Sequence, residues 1–277
     1  MSAVLNPVIP DHLLPQRVRH NAVVRRLRVL RSGRPSPGVI SLTVGGEALQ
    51  GFVSAAFDDH LKLMLPPQPG APLVLPELRD GRPAWPEGLR PEQRPVMRDY
   101  TPRHFDPISL ELDLEFAVHG AGPAADWALH ARPGDEVGIG GPKGSWVVPP
   151  GHDAYVLVGD ESALPAIGRR LEELPAQARV TVLVEVAQAA DQRGLSSPAR
   201  VDLRWLVRAD AAPGERLLQA VRELPLPPGH TYLWAAGEGR TMAAVREHWL
   251  ALGQPASLMR VAAYWKQGLP GHHENLA

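Results

Sequence analysis

The chain has 277 residues, no cysteine, 44% hydrophobic residues and a formal net charge of −1. Disulfides, iron–sulfur clusters, thiolate zinc sites and a cysteine nucleophile are thereby excluded, and near-neutrality argues against a general nucleic-acid binder. The opening MSAVLNPVIPDHLLPQRVRH lacks a basic start followed by an unbroken apolar run, and no stretch approaches the roughly eighteen apolar residues of a membrane span, so the chain reads as cytoplasmic, with no membrane partner.

The first half reads as β-structure. HNAVVRRLRVLRSG (20–33) alternates apolar and basic residues, GVISLTVGG (38–46) is a β-branched run ended by Gly-Gly, and HLKLMLP (60–66) follows the same rule. Residues 66–96 are proline-rich and predict a long, partly ordered surface loop. ISLELDLEFAVH (108–119) is the clearest alternating strand, and DEVGIGGP (135–142) and SWVVPP (145–150) complete a set of short strands pointing to a barrel or sandwich. A helix is predicted at PAADWALHA (123–131), opened by Gly-Pro.

Near residue 150 the pattern changes. AYVLVGD (154–160) and RVTVLVEV (179–186) are continuous apolar runs, as in strands buried on both faces. ALPAIGRRLEEL (163–174) between them has helical period. RWLVR (204–208), a helix near 213–224, TYLWAAGEG (231–239) and a helix at 240–252 continue the alternation, which predicts a parallel sheet flanked by helices. The domains expected are 1–150 and 151–277, the second ending in a C-terminal tail. Adjacent histidines in GHHEN (271–275) lack the spacing of a metal site, and a disordered tail is expected there.

RPVMRDYTPRHFD (94–106) concentrates Arg98, Tyr100, Thr101 and Arg103 on an extended segment, with Arg98 and Tyr100 on one face and Thr101 and Arg103 on the other. An exposed edge strand with solvated arginines accounts for the pattern. So does a flavin strand: Tyr100 and Thr101 suit the ring, and Arg98 and Arg103 suit ribityl or phosphate oxygens. HGAGPAADW (119–127) offers glycines for close backbone approach and a helix start for a pyrophosphate. Asp58 and Asp59 suggest turn caps before a strand, and Gly-Asp-Glu-Ser-Ala at 159–163 does not support a hydrolase elbow.

AAFDDHLKLMLP (55–66), RDYTPR (98–103), FAVHGAGPAADWA (116–128), PGDEVGIGGPKGSWVVP (133–149), LVGDESALPAI (157–167), LWAAGEG (233–239) and AAYWKQG (262–268) stand in that order along the chain. Together they resemble the siderophore-interacting protein family, FAD-containing NAD(P)H-dependent ferric-chelate reductases of the ferredoxin-reductase-like superfamily. The resemblance implies a two-domain ferredoxin-reductase-like fold, an antiparallel FAD β-barrel followed by an α/β parallel-sheet NAD(P)H domain. It implies FAD binding by Arg98, Tyr100, Thr101, Arg103, His119, Gly120, Gly122, Pro123, Ala124 and Ala125. Thr101, Asp160, Glu161 and Ser162 would lie nearest the flavin, with Ser162 replacing the commoner threonine. Gly237, Glu238 and Gly239 match the nucleotide-side turn, and Tyr264-Trp265 the C-terminal aromatic motif.

Lys62, Lys143 and Lys266 are candidates for a positive mouth over the flavin that receives an anionic ferric siderophore of catecholate type. No acid–base residue, nucleophile or protein-bound metal is required. The donor would be NADPH or NADH, unread because G-x-G-x-x-G is missing, and the protein is expected to be a monomer. Two alternatives stay open: a flavoenzyme of this fold serving a protein or quinone acceptor, and a siderophore binder without enzymatic activity.

Overall fold

A computed structural model describes residues 9–80, 82–118, 122–269, 271 and 273–276. The chain forms two compact units, one of Arg17–Trp146 and the other of the described residues before Arg17 together with those from Val147 onward.

In the first unit the strands are β1 (Gln16–Arg19), β2 (Val24–Ser36), β3 (Val39–Gly45), β4 (Leu61–Leu65), β5 (Glu77–Arg79), β6 (Arg82–Ala84), β7 (Val96–Tyr100), β8 (His104–Asp106) and β9 (Glu111–Ala117). Helix α1 (Pro123–His130) and strands β10 (Glu136–Gly140) and β11 (Gly144–Val147) follow. Seven strands make one antiparallel sheet in the order β7-β4-β10-β2-β3-β9-β8, and β1 pairs with β11 in a separate ribbon. Strands β7 and β8 are opposite edges of that sheet, yet only Thr101, Pro102 and Arg103 separate them. The four Cα steps from Tyr100 to His104 reach at most about 14 Å. A flat sheet would hold its edges roughly 29 Å apart, six spacings of about 4.8 Å. The sheet therefore curls toward a barrel.

Alternation fills the inside of that curl. Leu112, Leu114 and Phe116 of β9 are fully buried, while the residues between them face outward. They join Leu27, Val29, Leu42, Val44, Leu61, Leu63, Val137 and Ile139 in a continuous core. The 66–96 segment carries the short β5–β6 hairpin, and Arg94 stacks over Trp85. Its start is anchored by Leu75, which occupies the space a side chain at Gly138 would need.

The second unit comprises β12 (Ala154–Gly159), α2 (Leu164–Glu173), β13 (Arg179–Val186), β14 (Arg200–Val207), α3 (Glu215–Glu223), β15 (Thr231–Glu238), α4 (Gly239–Ala251), β16 (Met259–Trp265) and β17 (Glu274–Asn275). The sheet order is β14-β13-β12-β15-β16-β17, parallel except for β17. The direction of winding reverses between β12 and β15, which is where ligands of open α/β sheets lie. Burial is complete along β12 and β15, as their unbroken apolar runs require. Strand β14 begins four residues earlier than its apolar signal, because as a sheet edge it alternates half-exposed and exposed residues.

The tail differs from expectation. Glu274 and Asn275 pair with Ala263 and Ala262, and Leu276 N–H donates to Val261 O at 2.9 Å. Without them β16 would be an open edge, and pairing satisfies its backbone groups. Among the described residues, no group of three His, Cys, Asp or Glu side chains is arranged to hold a metal, and no helix is long and apolar enough to cross a membrane.

His152, before β12, is buried between the rings of Tyr155 (5.4 Å) and Tyr232 (5.3 Å). Burial pushes its pKa down to about 4; a backbone contact with His230 opposes the shift, and the Arg170 charge reinforces it. The unfolded chain takes up this proton near its ordinary pKa of about 6.5, whereas the folded chain resists until near 4. Stability is thus intact above about 6.5 and falls as pH drops through that window. In urea unfolding, wild type should lose about 1–2 kcal/mol more than His152→Phe between about pH 7 and about pH 5. Parallel pH profiles of the two proteins would refute the assignment.

Candidate functional site

The first unit brings the flavin-strand candidates to the edge of the curled sheet. Strand β7 pairs with β4 so that Tyr100 faces Leu61, Asp99 faces Lys62 and Arg98 faces Leu63. Tyr100 packs on Phe116, with ring centroids 4.4 Å apart, and burial raises its phenol pKa well above the ordinary value, opposed by Arg98. It stays a neutral donor and acceptor at any physiological pH. The strict alternation expected through Arg103 ends at Tyr100: all five residues of β7 are half-buried, Thr101 is buried, and Arg103 N–H donates to Asp113 O at 2.9 Å toward the opposite edge. Arg98 Nη1 donates to the carbonyl of Met97 at 2.8 Å.

Helix α1 begins with Pro123 after Gly122, and no side chain caps it. The first N–H groups of any helix lack intrahelical acceptors. Gly122 has open space where a side chain would stand, so backbone donors near Ala124 and Ala125 suit an anionic ligand. His119 and Gly120, assigned to the same loop, lie outside the described residues.

Two of the lysine candidates lie toward the same end of the β4–β10 pair. Lys62 on β4 faces Gly140 on β10, and Lys143 follows three residues after Gly140, exposed, with its carbonyl accepting from His20 N–H at 3.0 Å. Lys62 Nζ lies 2.8 Å from Asp99 Oδ2, a cross-strand ion pair with Lys62 half-exposed and Asp99 largely buried. Any anion drawn to Lys62 competes with Asp99. Lys266, half-buried, belongs to the second unit and makes an isolated bridge with Leu269.

In the second unit Asp160 ends β12 at the winding reversal. Its Oδ1 accepts from Ser162 N at 2.9 Å and Ser162 Oγ at 2.5 Å; its Oδ2 accepts from Glu238 N at 3.1 Å and Trp265 Nε1 at 2.8 Å. One carboxylate thereby ties together the ends of β12, β15 and β16. Gly237 permits this, since a Cβ there would come within 2.7 Å of Asp160 Oδ2. Glu238 caps α4, accepting from Arg240 N at 2.7 Å and Thr241 N at 3.0 Å. Its other oxygen, Oε1, is buried with no hydrogen-bond partner among the described residues, an acceptor suited to a hydroxyl or carboxamide donor.

Glu161 is engaged as well. Arg208 reaches Glu161 at 3.2 Å and Glu185 at 3.3 Å, and Glu185, completely buried, accepts from Gly214 N and Leu217 N at the start of α3. Burial opposes the charge of Arg208, but Glu161 and Glu185 more than offset it, so its pKa is raised. Glu185 and Arg208 were not among the residues singled out above. The one signal for Glu185 is an acid closing the otherwise apolar VTVLVEV.

A curled antiparallel sheet followed by a parallel sheet with this winding is the ferredoxin-reductase-like fold. It is shared with a ferredoxin NADP+ reductase from Neisseria gonorrhoeae solved with FAD and NADP (13% identity, TM-score 0.58, covering 83% of this chain and 92% of that one). Closer comparison is decisive. Residues 28–146 match the model of the siderophore-interacting FAD-binding domain and residues 152–268 that of the siderophore-interacting protein. The NADPH-dependent ferric-chelate reductase of Escherichia coli K12 is 39% identical over 254 residues, 91% of this chain and 96% of that protein. A siderophore utilization protein from T. fusca has 36% identity and a TM-score of 0.85, covering 93% of this chain and 98% of that one. The chain belongs to the siderophore-interacting protein family.

Asp160→Ala removes four donors' acceptor at the winding reversal. It should cost about 2–4 kcal/mol in denaturant unfolding and alter the near-UV signal of Trp265. Unchanged stability would show that Asp160 does not hold the strand ends together.

Proposed function

We propose that this protein is an FAD-dependent reductase that takes hydride from NADPH and passes single electrons to ferric siderophores, releasing iron as Fe(II). The observation that carries the reading is the fit of the first unit to a flavin: a half-buried, neutral Tyr100 and a buried Thr101 beside Arg98 and Arg103, with an uncapped helix start at Gly122. Family membership over both units supports it. FAD, when bound, converts a two-electron hydride into one-electron transfers. The chain's residues bind and orient. Arg103 and the α1 start would hold the pyrophosphate, and Tyr100 and Thr101 would hold the ring.

The orphan acceptor of Glu238 and the Asp160–Glu161–Ser162 turn suit hydroxyl and carboxamide groups of the nicotinamide donor. Lys62 and Lys143 would form the mouth for an anionic, catecholate-type chelate, with Lys266 a further cation on the second unit. Hard oxygen ligands hold Fe(II) far more weakly than Fe(III), so reduction loosens the chelate. The reading takes the protein to act as a monomer in the cytoplasm, where nicotinamide donor is at hand.

Arg103→Ala forfeits a charge-assisted contact typically worth about 1.5–3 kcal/mol, so the purified variant should lose FAD on dilution and gel filtration. Full retention would remove the pyrophosphate role.

The mouth is tested by steady-state reduction of anionic and neutral ferric chelates across a salt series. Exposed charge pairs keep about 0.2–1 kcal/mol each, so Lys62→Ala/Lys143→Ala should slow reduction of the anionic chelate roughly two- to thirty-fold and spare the neutral one. Lys62→Ala alone also leaves Asp99 without this cation, so adding Asp99→Asn should recover part of the loss. Salt should bring wild type toward the variant. Equal losses on both chelates would return the lysines to the role of ordinary surface charges.

A further inference from the structure

Three side chains from distant parts of the first unit meet just ahead of β4. Asp59 is buried, and its Oδ2 accepts from Ser54 Oγ at 2.8 Å, Ala56 N at 3.1 Å and Ser145 Oγ at 2.6 Å. Ser145, also buried, accepts from Ala55 N at 3.1 Å, and its Oγ lies 2.7 Å from Nε2 of the half-buried His20. A hydroxyl has one proton to give. Ser145 gives it to Asp59, so His20 must be the donor in the remaining bond, with its proton on Nε2.

The order of the three groups excludes one chemistry and allows another. In a nucleophilic triad the imidazole stands between carboxylate and hydroxyl and takes the hydroxyl proton. Here the hydroxyl stands in the middle, with its lone pairs and its proton engaged. What remains is an unbroken donor chain from a solvent-reaching imidazole to an interior carboxylate. If the Nε2–H bond of a protonated His20 breaks as a new O–H forms on Ser145, and the original Ser145 O–H bond breaks as one forms on Asp59, one proton has moved inward. No heavy atom needs to travel.

Burial holds the Asp59 carboxyl above the ordinary carboxylate range. Bonds from Ser145, Ala56 and Ser54 oppose this, and the neighbouring Asp58 charge adds to it. The charged or titratable groups facing it are therefore Asp58 and, beyond Ser145, His20. Its place in the sheet also bears on function. Asp59 precedes by two residues Leu61, which faces Tyr100 of the proposed flavin strand, and Ser145 follows Lys143 by two.

We propose that His20, Ser145 and Asp59 form a proton relay serving the flavin end of the first unit. The proposal rests on the flavin-reductase reading. Each nicotinamide oxidised delivers a hydride, and one proton is taken up with it at the flavin. Two protons leave when two electrons pass to two ferric ions, so each turnover moves protons in both directions and releases one net. The relay would carry these protons between Asp59, two residues from the Leu61 that faces Tyr100, and the solvent side of His20.

The test separates this role from simple turn-holding. In the flavin-free protein, difference infrared spectroscopy should find a buried carboxyl that titrates above exposed carboxylates. It should vanish in Asp59→Asn and titrate still higher in Ser145→Ala, which removes a donor to the carboxylate. In the FAD-loaded protein, His20→Gln and Asp59→Asn should slow the rapid-mixing reductive step about three- to thirty-fold. The solvent deuterium effect should change, while melting temperature and FAD retention stay near wild type. Added imidazole should restore His20→Gly.

Wild-type rates and isotope effects in a folded His20→Gln would overturn the relay and leave the reductase reading standing. So would a slowed rate matched by lost FAD, or the absence of a titrating buried carboxyl. A wild-type protein that binds FAD but reduces no ferric chelate would instead overturn the reductase reading, and the rapid-mixing reductive step, which needs no chelate, would then decide the relay.

Discussion

Asp160 is the point on which the second unit turns. A parallel sheet that reverses its winding leaves a gap between the first and fourth strands, here β12 and β15, and something must join their ends. One buried carboxylate does so, bonding the turn after β12, the backbone of Glu238 and the indole of Trp265. The glycine at 237 follows from that contact, because only a residue without a side chain lets the carboxylate so close. Motifs far apart in sequence, GDES, AAGEG and AAYW, are thus the three sides of a single hydrogen-bonded junction.

The two units treat their helix starts in opposite ways. At the head of the parallel sheet, Glu185 and Glu238 accept from the N–H groups at the starts of α3 and α4, and Asp160 accepts from Ser162 N in the turn ahead of α2. Anions are welcome at helix starts in general, but these positions already hold the chain's own. A pyrophosphate gains little there, which gives a physical reason for the missing glycine fingerprint. In the first unit α1 carries no side-chain cap and an open glycine before it. The contrast suits a dinucleotide retained through many turnovers in one unit and a donor that comes and goes at the other.

Elements dictated by their own neighbours were readable. The period of two in β9 and the apolar runs of β12 and β13 follow from which faces are buried, and helices α1 and α2 follow from a proline in the first turn and from helical spacing. The residues Asp160, Gly237 and Trp265 were readable through their motifs, though not the bonds that unite them. What escaped has long sequence separation. Glu161 and Arg208 are 47 residues apart, and His20 and Ser145 are 125 apart, so no local periodicity could announce either pair. The tail escaped for a related reason: two residues of GHHEN look solvated until the unpaired edge of β16 is known.

The short join between β7 and β8 has a consequence for the arginine motif itself. Thr101, Pro102 and Arg103 are the clasp of a belt, and the belt's girth is six strand spacings bent round a core of fixed volume. The interval between Arg98 and Arg103 is therefore set by circumference as well as by any ligand. Proline stiffens the clasp, and a residue inserted there would let the belt out, moving both arginines and the lining of the barrel together.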